Sequence, residues 1–483
     1  MASGVSTAGT RAVRSRWWAL VVICLVALIV GVDATIVNIA LPSAQRDLGL
    51  SDVDRQWVVS AYTLAFGGLL LPAGRVADRV GRKRAVLLGV LGFAAASALG
   101  GAAAEGWVLV LARALQGVFA SILAPSTLSL LVAVFTEPAD RAKAISVFSA
   151  VASGGGVLGL LAGGLLAGYL DWRWCLYINV PLAVLGAIGG ALLLPEVPAH
   201  RGGPIDVPGA VLGCAGVVAL VYGLGAAGGL GWASPAVLGP LAAGLVLLAV
   251  FVLVQARREH PLLPLRVVLD RNRAGAALSI GLAMFALFGT SLFLTYQLQV
   301  VMGYSPVETG LAVLPLTVAI IVSSTQLARR WLPRTAPRLL VAPGLALAAA
   351  GVLWLVGLRP DSSFAVGVLP AELLLGLGMG LVSTPCLHTA TSGVDPADVG
   401  VASAFLSTTQ QIAASLGVAT LNTIATSATA SFAAAHPDVP AVVGTVHGYT
   451  RAAAWAGGIV LAAVALAWLM ITADPRRAEA AKG

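Results

Sequence analysis

Gly74-Arg75-Val76-Ala77-Asp78-Arg79-Val80-Gly81-Arg82-Lys83-Arg84 sets five basic residues and one acid between two apolar runs, residues 56–74 and 85–104. Each run is close to the ~20 residues that cross a bilayer as a helix. The glycines let the backbone turn tightly, and Asp78 can cap a helix start or pair with an arginine. A plain positive anchor would explain the arginines. It would not explain an acid held at this spacing between glycines, so the segment reads as a structured turn joining two membrane spans.

Working outward, the pattern repeats. Hydrophobic residues make up 58% of the 483 and charged ones 10%, against roughly 45–50% and ~25% in soluble domains. Roughly 280 apolar residues suffice for about fourteen spans. The runs fall near 17–41, 56–74, 85–104, 107–134, 144–169 and 175–194, then 208–228 and 236–256, then 274–300, 307–327, 339–358, 364–386, 400–428 and 450–472. The expected organisation is a cytoplasmic N-terminus (1–16), a six-helix half (17–194), a linker with two extra spans (195–272), a second six-helix half (273–472) and a cytoplasmic tail (473–483). Arg11, Arg14 and Arg16 before the first run resemble the start of a signal peptide. The run continues to Leu41 and many more follow, so it reads as an uncleaved first span.

Charge sets the orientation. Lys+Arg total 29 against Asp+Glu 21, for a net charge of +8. Alternate loops divide these basic residues into 23 on one side and 5 on the other, with Arg113 inside a span. Positive loops stay in the cytoplasm, so both termini are expected there. The basic residues are scattered among apolar runs rather than clustered, which argues against a nucleic-acid partner. Two further sets of residues exclude common activities. Lys83, Lys143 and Lys482 are the only lysines and none follows a glycine, so there is no phosphate-binding P-loop. Cys24, Cys175, Cys214 and Cys386 are isolated, fitting neither a zinc site nor a disulfide framework. The dispersed histidines form no catalytic set, and no metal, cofactor or enzymatic activity is expected.

The turn matches the G-x-x-x-D-R-x-G-R-R/K signature of the major facilitator superfamily, and other stretches resemble its fourteen-span drug:proton antiporter branch. These are Asp33-Ala-Thr-Ile-Val-Asn38-Ile-Ala-Leu-Pro42, Trp57-Val-Val-Ser-Ala-Tyr62, Arg113-Ala-Leu-Gln116-Gly117, Trp172-Arg173-Trp174 with Ile178-Asn179-Val180-Pro181, Gln299-Val-Val-Met-Gly303-Tyr304-Ser305-Pro306, and Ser403-Ala404 with Gln410-Gln411. The branch's fifth-span motif, G-P-x-x-G-G, here reads Gly159-Leu160-Leu161-Ala162-Gly163-Gly164, without the proline. A ridge of Gly155, Gly159 and Gly163 at four-residue spacing remains, and such ridges permit close helix contact.

The resemblance implies an all-α membrane protein with two six-helix halves around a cavity, working by alternating access. It implies that Gly74, Asp78, Arg79, Gly81 and Arg82 form a cytoplasmic gate, with Asp78 docking near the helix start at Asp398–Gly400. It further implies proton-driven export of amphipathic, antibiotic-like compounds by a monomer; export of a small metabolite such as an amino acid or peptide is the alternative. The preponderance of arginine over lysine, with abundant Ala and Gly, points to a GC-rich bacterial genome and so to a bacterial cytoplasmic membrane.

Away from the ends of the runs, three charged residues lie within them: Asp33, Arg113 and Glu372. Each costs about 2.5–3.5 kcal/mol to place at a helix centre on insertion scales. Two readings stand: structural pairing of Arg113 with Asp33 or Glu372, or a proton and substrate pathway. Asp33 matches the family's first-span acid, whereas Glu372 rests on its burial alone. Asn38, Tyr62, Gln116, Tyr296, Gln297, Gln410 and Gln411 are candidate cavity residues for an amphipathic ligand.

Overall fold

The computed structural model describes residues 5–196, 206–259, 261–332, 334–394 and 398–472. The tail expected at 473–483 lies outside them. Fourteen long helices follow one another: α1 (Val5–Leu48), α2 (Asp52–Val80), α3 (Arg82–Gly101), α4 (Gly106–Val134), α5 (Pro138–Tyr169), α6 (Trp174–Leu193), α7 (Val207–Leu230), α8 (Pro235–Arg257), α9 (Arg271–Val301), α10 (Pro306–Trp331), α11 (Arg338–Gly357), α12 (Phe364–Thr391), α13 (Val399–Ala435) and α14 (Ala441–Met470). Thirteen of these are long and apolar enough to cross a membrane.

The remaining helix, α13, is diluted by Ser, Thr, Gln and Asn. Its position explains why it tolerates them. It packs against α2, α7, α9 and α14, and Ser415, Asn422 and Thr423 are buried in those contacts. Several of its polar side chains, among them Thr408, Asn422 and Thr423, make interhelical hydrogen bonds to α2 and α7. The helices also overrun the apolar runs. α14 starts at Ala441 rather than near 450, because Val446 and Tyr449 of the more polar first turns are themselves buried against protein.

The two halves repeat one packing scheme. In the first, α1 packs on α5, α2 and α3 on α4, and α3 on α6; in the second, α9 packs on α13, α10 and α11 on α12, and α11 on α14. The repeat reaches individual residues. Gly49-Leu50-Ser51 before α2 and Gly303-Tyr304-Ser305 before α10 each place a glycine at positive φ (62° and 72°) two residues ahead of a serine cap. Ser51 accepts from the Asp54 amide while Asp54 accepts from Ser51; Ser305 and Glu308 do the same. Each reciprocal box satisfies helix-terminal N–H groups, and each fixes where a helix enters the bundle.

The halves meet along two seams, α2 against α13 and α5 against α10. α7 covers the first seam, sharing a small core of Leu64, Val217, Val221 and Ala419 with both α2 and α13, while α8 packs on α7 and faces outward. On the second seam the glycine ridge of α5 has two faces. Gly155 meets Gly31 of α1 nearly backbone to backbone, and a Cβ on Gly163 would lie 2.9 Å from Ile36 O. A Cβ on Gly159 would press on Thr35 and Val32 of α1, and one on Gly164 would lie 2.8 Å from Pro306 O of α10.

Candidate functional site

Four helices of the first half converge on one carboxylate. α1 lies close against α5 at Gly31, and Asp33, two residues on, points to another face of the helix and is wholly buried. Its Oδ2 accepts from Arg113 Nη1 of α4 at 2.6 Å, and its Oδ1 accepts from Gln116 Nε2 at 2.9 Å and from Asn179 Nδ2 of α6 at 2.8 Å. Gln116 lies one turn beyond Arg113, so both face α1. It accepts from Arg113 Nη1 at 2.7 Å and donates to Ser97 Oγ of α3 at 2.8 Å. Arg113 also donates through Nε to Val58 O, and its guanidinium lies 4.4 Å from the Tyr62 ring centroid. One short charge-assisted bond, with neutral partners taking up the remaining groups of both side chains, is what makes a buried ion pair tenable.

Of the two pairings open to Arg113, the geometry selects Asp33. The pair is also not sealed. Arg113 and Tyr62 line a central cavity of about 200 Å³ together with Asn38, Gly31, Phe288 of α9 and Gln411 of α13, and the Tyr62 hydroxyl has no hydrogen-bond partner. The guanidinium therefore has the carboxylate on one side and a partly polar chamber shared by both halves on the other.

The remaining cavity candidates are dispersed. Gln116 belongs to the Asp33 network. Tyr296 donates to Gln45 of α1 and lines a separate cavity of about 920 Å³ between the halves, near the loops at 49–51 and 303–305. Gln297, the next residue, faces a small void beside Thr290, Phe293 and Tyr449, with both amide atoms unpartnered. Gln410 is half-buried on α13. Glu372 is 2% exposed near the start of α12 and neither oxygen has a partner.

The basic turn between α2 and α3 sits at the opposite end from the larger cavity. Gly81, with φ 95°, links the two helices; the Asp78 side chain lies outside the described residues. Arg75 donates to Pro261 O in the linker and Arg82 to Ser129 O of α4 at 3.2 Å. At the start of α13, the Asp398 carboxylate takes Arg266 of the linker at 2.8 Å.

Two contributors were missed by reading the sequence. Asn179 stands in the sequence as part of a turn motif, yet it completes the Asp33 shell. Arg55 sits just before the apolar run of α2 and so counted as a loop charge. It is 7% exposed, pairs with Asp52 at 3.0 Å, donates to Asn422 of α13 at 2.9 Å and stacks 4.4 Å over Tyr296 of α9. With Gln299 Nε2 donating to Ile39 O at 3.0 Å, these bonds join the halves at the end away from the basic turn.

The profile of the Major Facilitator Superfamily matches residues 23–418. The chain belongs to the major facilitator superfamily. It is 52% identical over 468 residues to a puromycin resistance protein of Streptomyces alboniger, covering 96% of this chain and 93% of that one. It is 38% identical over 414 residues to a cephamycin export protein of Amycolatopsis lactamdurans, covering 85% of each. A solved structure of a bacterial homologue of the human lysosomal transporter Spinster, inward-facing and unoccupied, superposes with a TM-score of 0.68 at 16% identity, covering 94% of this chain and 97% of that one. At that identity the likeness is one of fold, and the fold is that of the major facilitator superfamily.

Proposed function

We propose that the chain is a proton-coupled exporter of antibiotic-like amphipathic compounds, working as a monomer in a bacterial cytoplasmic membrane with both termini inside. The resistance and export proteins it resembles support the substrate class. The observation that carries the coupling is the buried Asp33–Arg113 pair with its arginine on a chamber lined by both halves. Protonating Asp33 would free Arg113 from its partner, and a substrate entering the chamber would compete for the same guanidinium and Tyr62. One carboxylate thus senses both ligands. The basic residues of the α2–α3 turn support a cytoplasmic position for it; with that orientation, the bonds of Arg55 and Gln299 would hold the outer end shut while the substrate loads from inside. Loading and release are transport steps without covalent chemistry.

Energetically the scheme is sufficient. One proton falling through ~100 mV yields ~2.3 kcal/mol and one pH unit ~1.4 kcal/mol, enough to concentrate a neutral compound a few hundred-fold. The test is efflux of puromycin from vesicles with pH and voltage gradients imposed separately. Wild-type protein should respond to both and Asp33→Asn to neither. Coupled efflux by Asp33→Asn would make the cluster structural and move the proton site elsewhere.

A further inference from the structure

Outside the bundle, where α13, α14 and the α7–α8 loop meet, lies a groove of about 940 Å³ that shares no lining residue with the Arg113 chamber or with the cavity between the halves. Its mouth carries Arg451 and His447 of α14, with Arg451 Nε 3.5 Å from His447 Nε2. A shelf of stacked rings, His436 on Phe432 at 4.5 Å and Phe432 beside His447 at 4.8 Å, closes one side. Deeper, the wall turns mainly apolar at Ile424 and Ile459, with the Thr420 side chain at its far end, while Ser427 and Ser431 add hydroxyls between the two zones. Trp232 and Trp455, 47% and 63% exposed, flank it.

The depth of the arginine identifies the occupant. Beyond Arg451 the chain from Ala452 to Met470 is uncharged, and at 1.5 Å per residue it covers roughly 28 Å, the thickness of the hydrocarbon layer. Arg451 therefore stands at the edge of that layer, on the outward side of the helix pair, level with tryptophans of the kind that mark a membrane interface. No carboxylate lines the groove, and no ion pair to Arg451 occurs among the described residues. An exposed cation at this level attracts anions. The group present there in every bilayer is a phospholipid phosphate.

We propose that this groove binds one glycerophospholipid, its phosphate against Arg451 and His447, its ester oxygens within reach of Ser427 and Ser431, and one acyl chain along Ile424 and Ile459. Charge at the mouth, hydroxyls in the middle and an apolar floor follow the order of groups along such a lipid. The occupant would tie α13, a helix of the α2 seam, to the α7–α8 hairpin through the Trp232 edge.

The experiment is native mass spectrometry of the full chain released from detergent, titrated with phosphatidylglycerol. Wild-type protein should retain one lipid more tightly than the rest. Arg451→Gln should weaken that binding about fivefold to tenfold, in line with ~1 kcal/mol per interfacial cation. Arg451→Lys should keep most of it, and Arg359→Gln, at the same end but outside the groove, should change nothing. His447→Gln, which leaves the arginine in place, should weaken the same adduct and serves if Arg451→Gln does not fold. Equal retention by both the Arg451→Gln and His447→Gln variants would overturn the proposal. So would displacement of the lipid by millimolar inorganic phosphate, which would make this a free-anion site, or a dimer that Arg451→Gln converts to monomer, which would make the occupant a second copy of the chain.

Discussion

The two halves share a packing scheme but treat their buried carboxyl groups in opposite ways. In the first half Asp33 accepts from Arg113, Gln116 and Asn179, with Ser97 behind. In the second half α12 takes the place of α4, and near its start Glu372 has no partner on either oxygen. The buried Thr290 and Gln297 of α9, the counterpart of α1, are also unpartnered. A satisfied network rigidifies its surroundings, while unsatisfied buried groups cost free energy that native proteins keep only where something is gained. The first half therefore holds its charge in a set geometry. The second keeps a group that waits for a partner.

Breaking the satisfied side should give the largest effect. Arg113→Leu leaves Asp33 buried and unpaired, which should cost about 3–5 kcal/mol and abolish efflux; thermal unfolding in detergent and vesicle transport measure the two separately. Adding Asp33→Asn should recover much of the stability and none of the transport. If the double variant were as unstable as the single one, packing rather than charge would dominate the site.

The unsatisfied side should respond in the other direction. Glu372→Met removes two unpartnered oxygens at similar volume and should stabilise the protein by about 1–3 kcal/mol. Efflux of cationic compounds should fall more than efflux of neutral ones, because a buried carboxylate can balance a cation. Destabilisation would reveal a partner that forms in another state of the cycle.

Smaller still is Asn179→Ala. One of three bonds to Asp33 is lost, worth about 1.5–3 kcal/mol at most for a charged acceptor, and efflux should persist at a reduced rate. If Asn179→Ala were as severe as Arg113→Leu, the amide and not the guanidinium would set the position of Asp33.

Thirteen spans were legible because apolar length is a strong signal; the run at 400–428 does form a helix, α13, but its hydroxyls and amides leave it less apolar than the rest. Asp33 and Arg113 were legible because a charge inside an apolar run is conspicuous. Arg55 was not, since it stands one residue before its run and only the fold shows that the partners at Asn422 and Tyr296 bury it. Tyr296 and Gln297 are both cavity candidates by sequence, yet successive residues on a helix point about 100° apart, and the two face different spaces. The serine-capped glycine turns at Gly49 and Gly303 were present in the sequence as a repeat, and the structure is what makes their equivalence plain.

The cover that α7 provides over one seam has a mechanical consequence. It touches α2 through Gly68 against Cys214 and Trp57 beside Tyr222, and α13 through Thr423 donating to Leu224 O and Gly228 against Thr426. These described contacts are van der Waals surfaces and a neutral hydroxyl bond, with no ion pair among them. When one half rocks against the other, α7 is sheared on two sides at once, and an interface of apolar contacts and neutral bonds is the kind that slips without breaking. α7 works as a gasket: it keeps lipid tails out of a moving joint, on one flank of the molecule and not on the other.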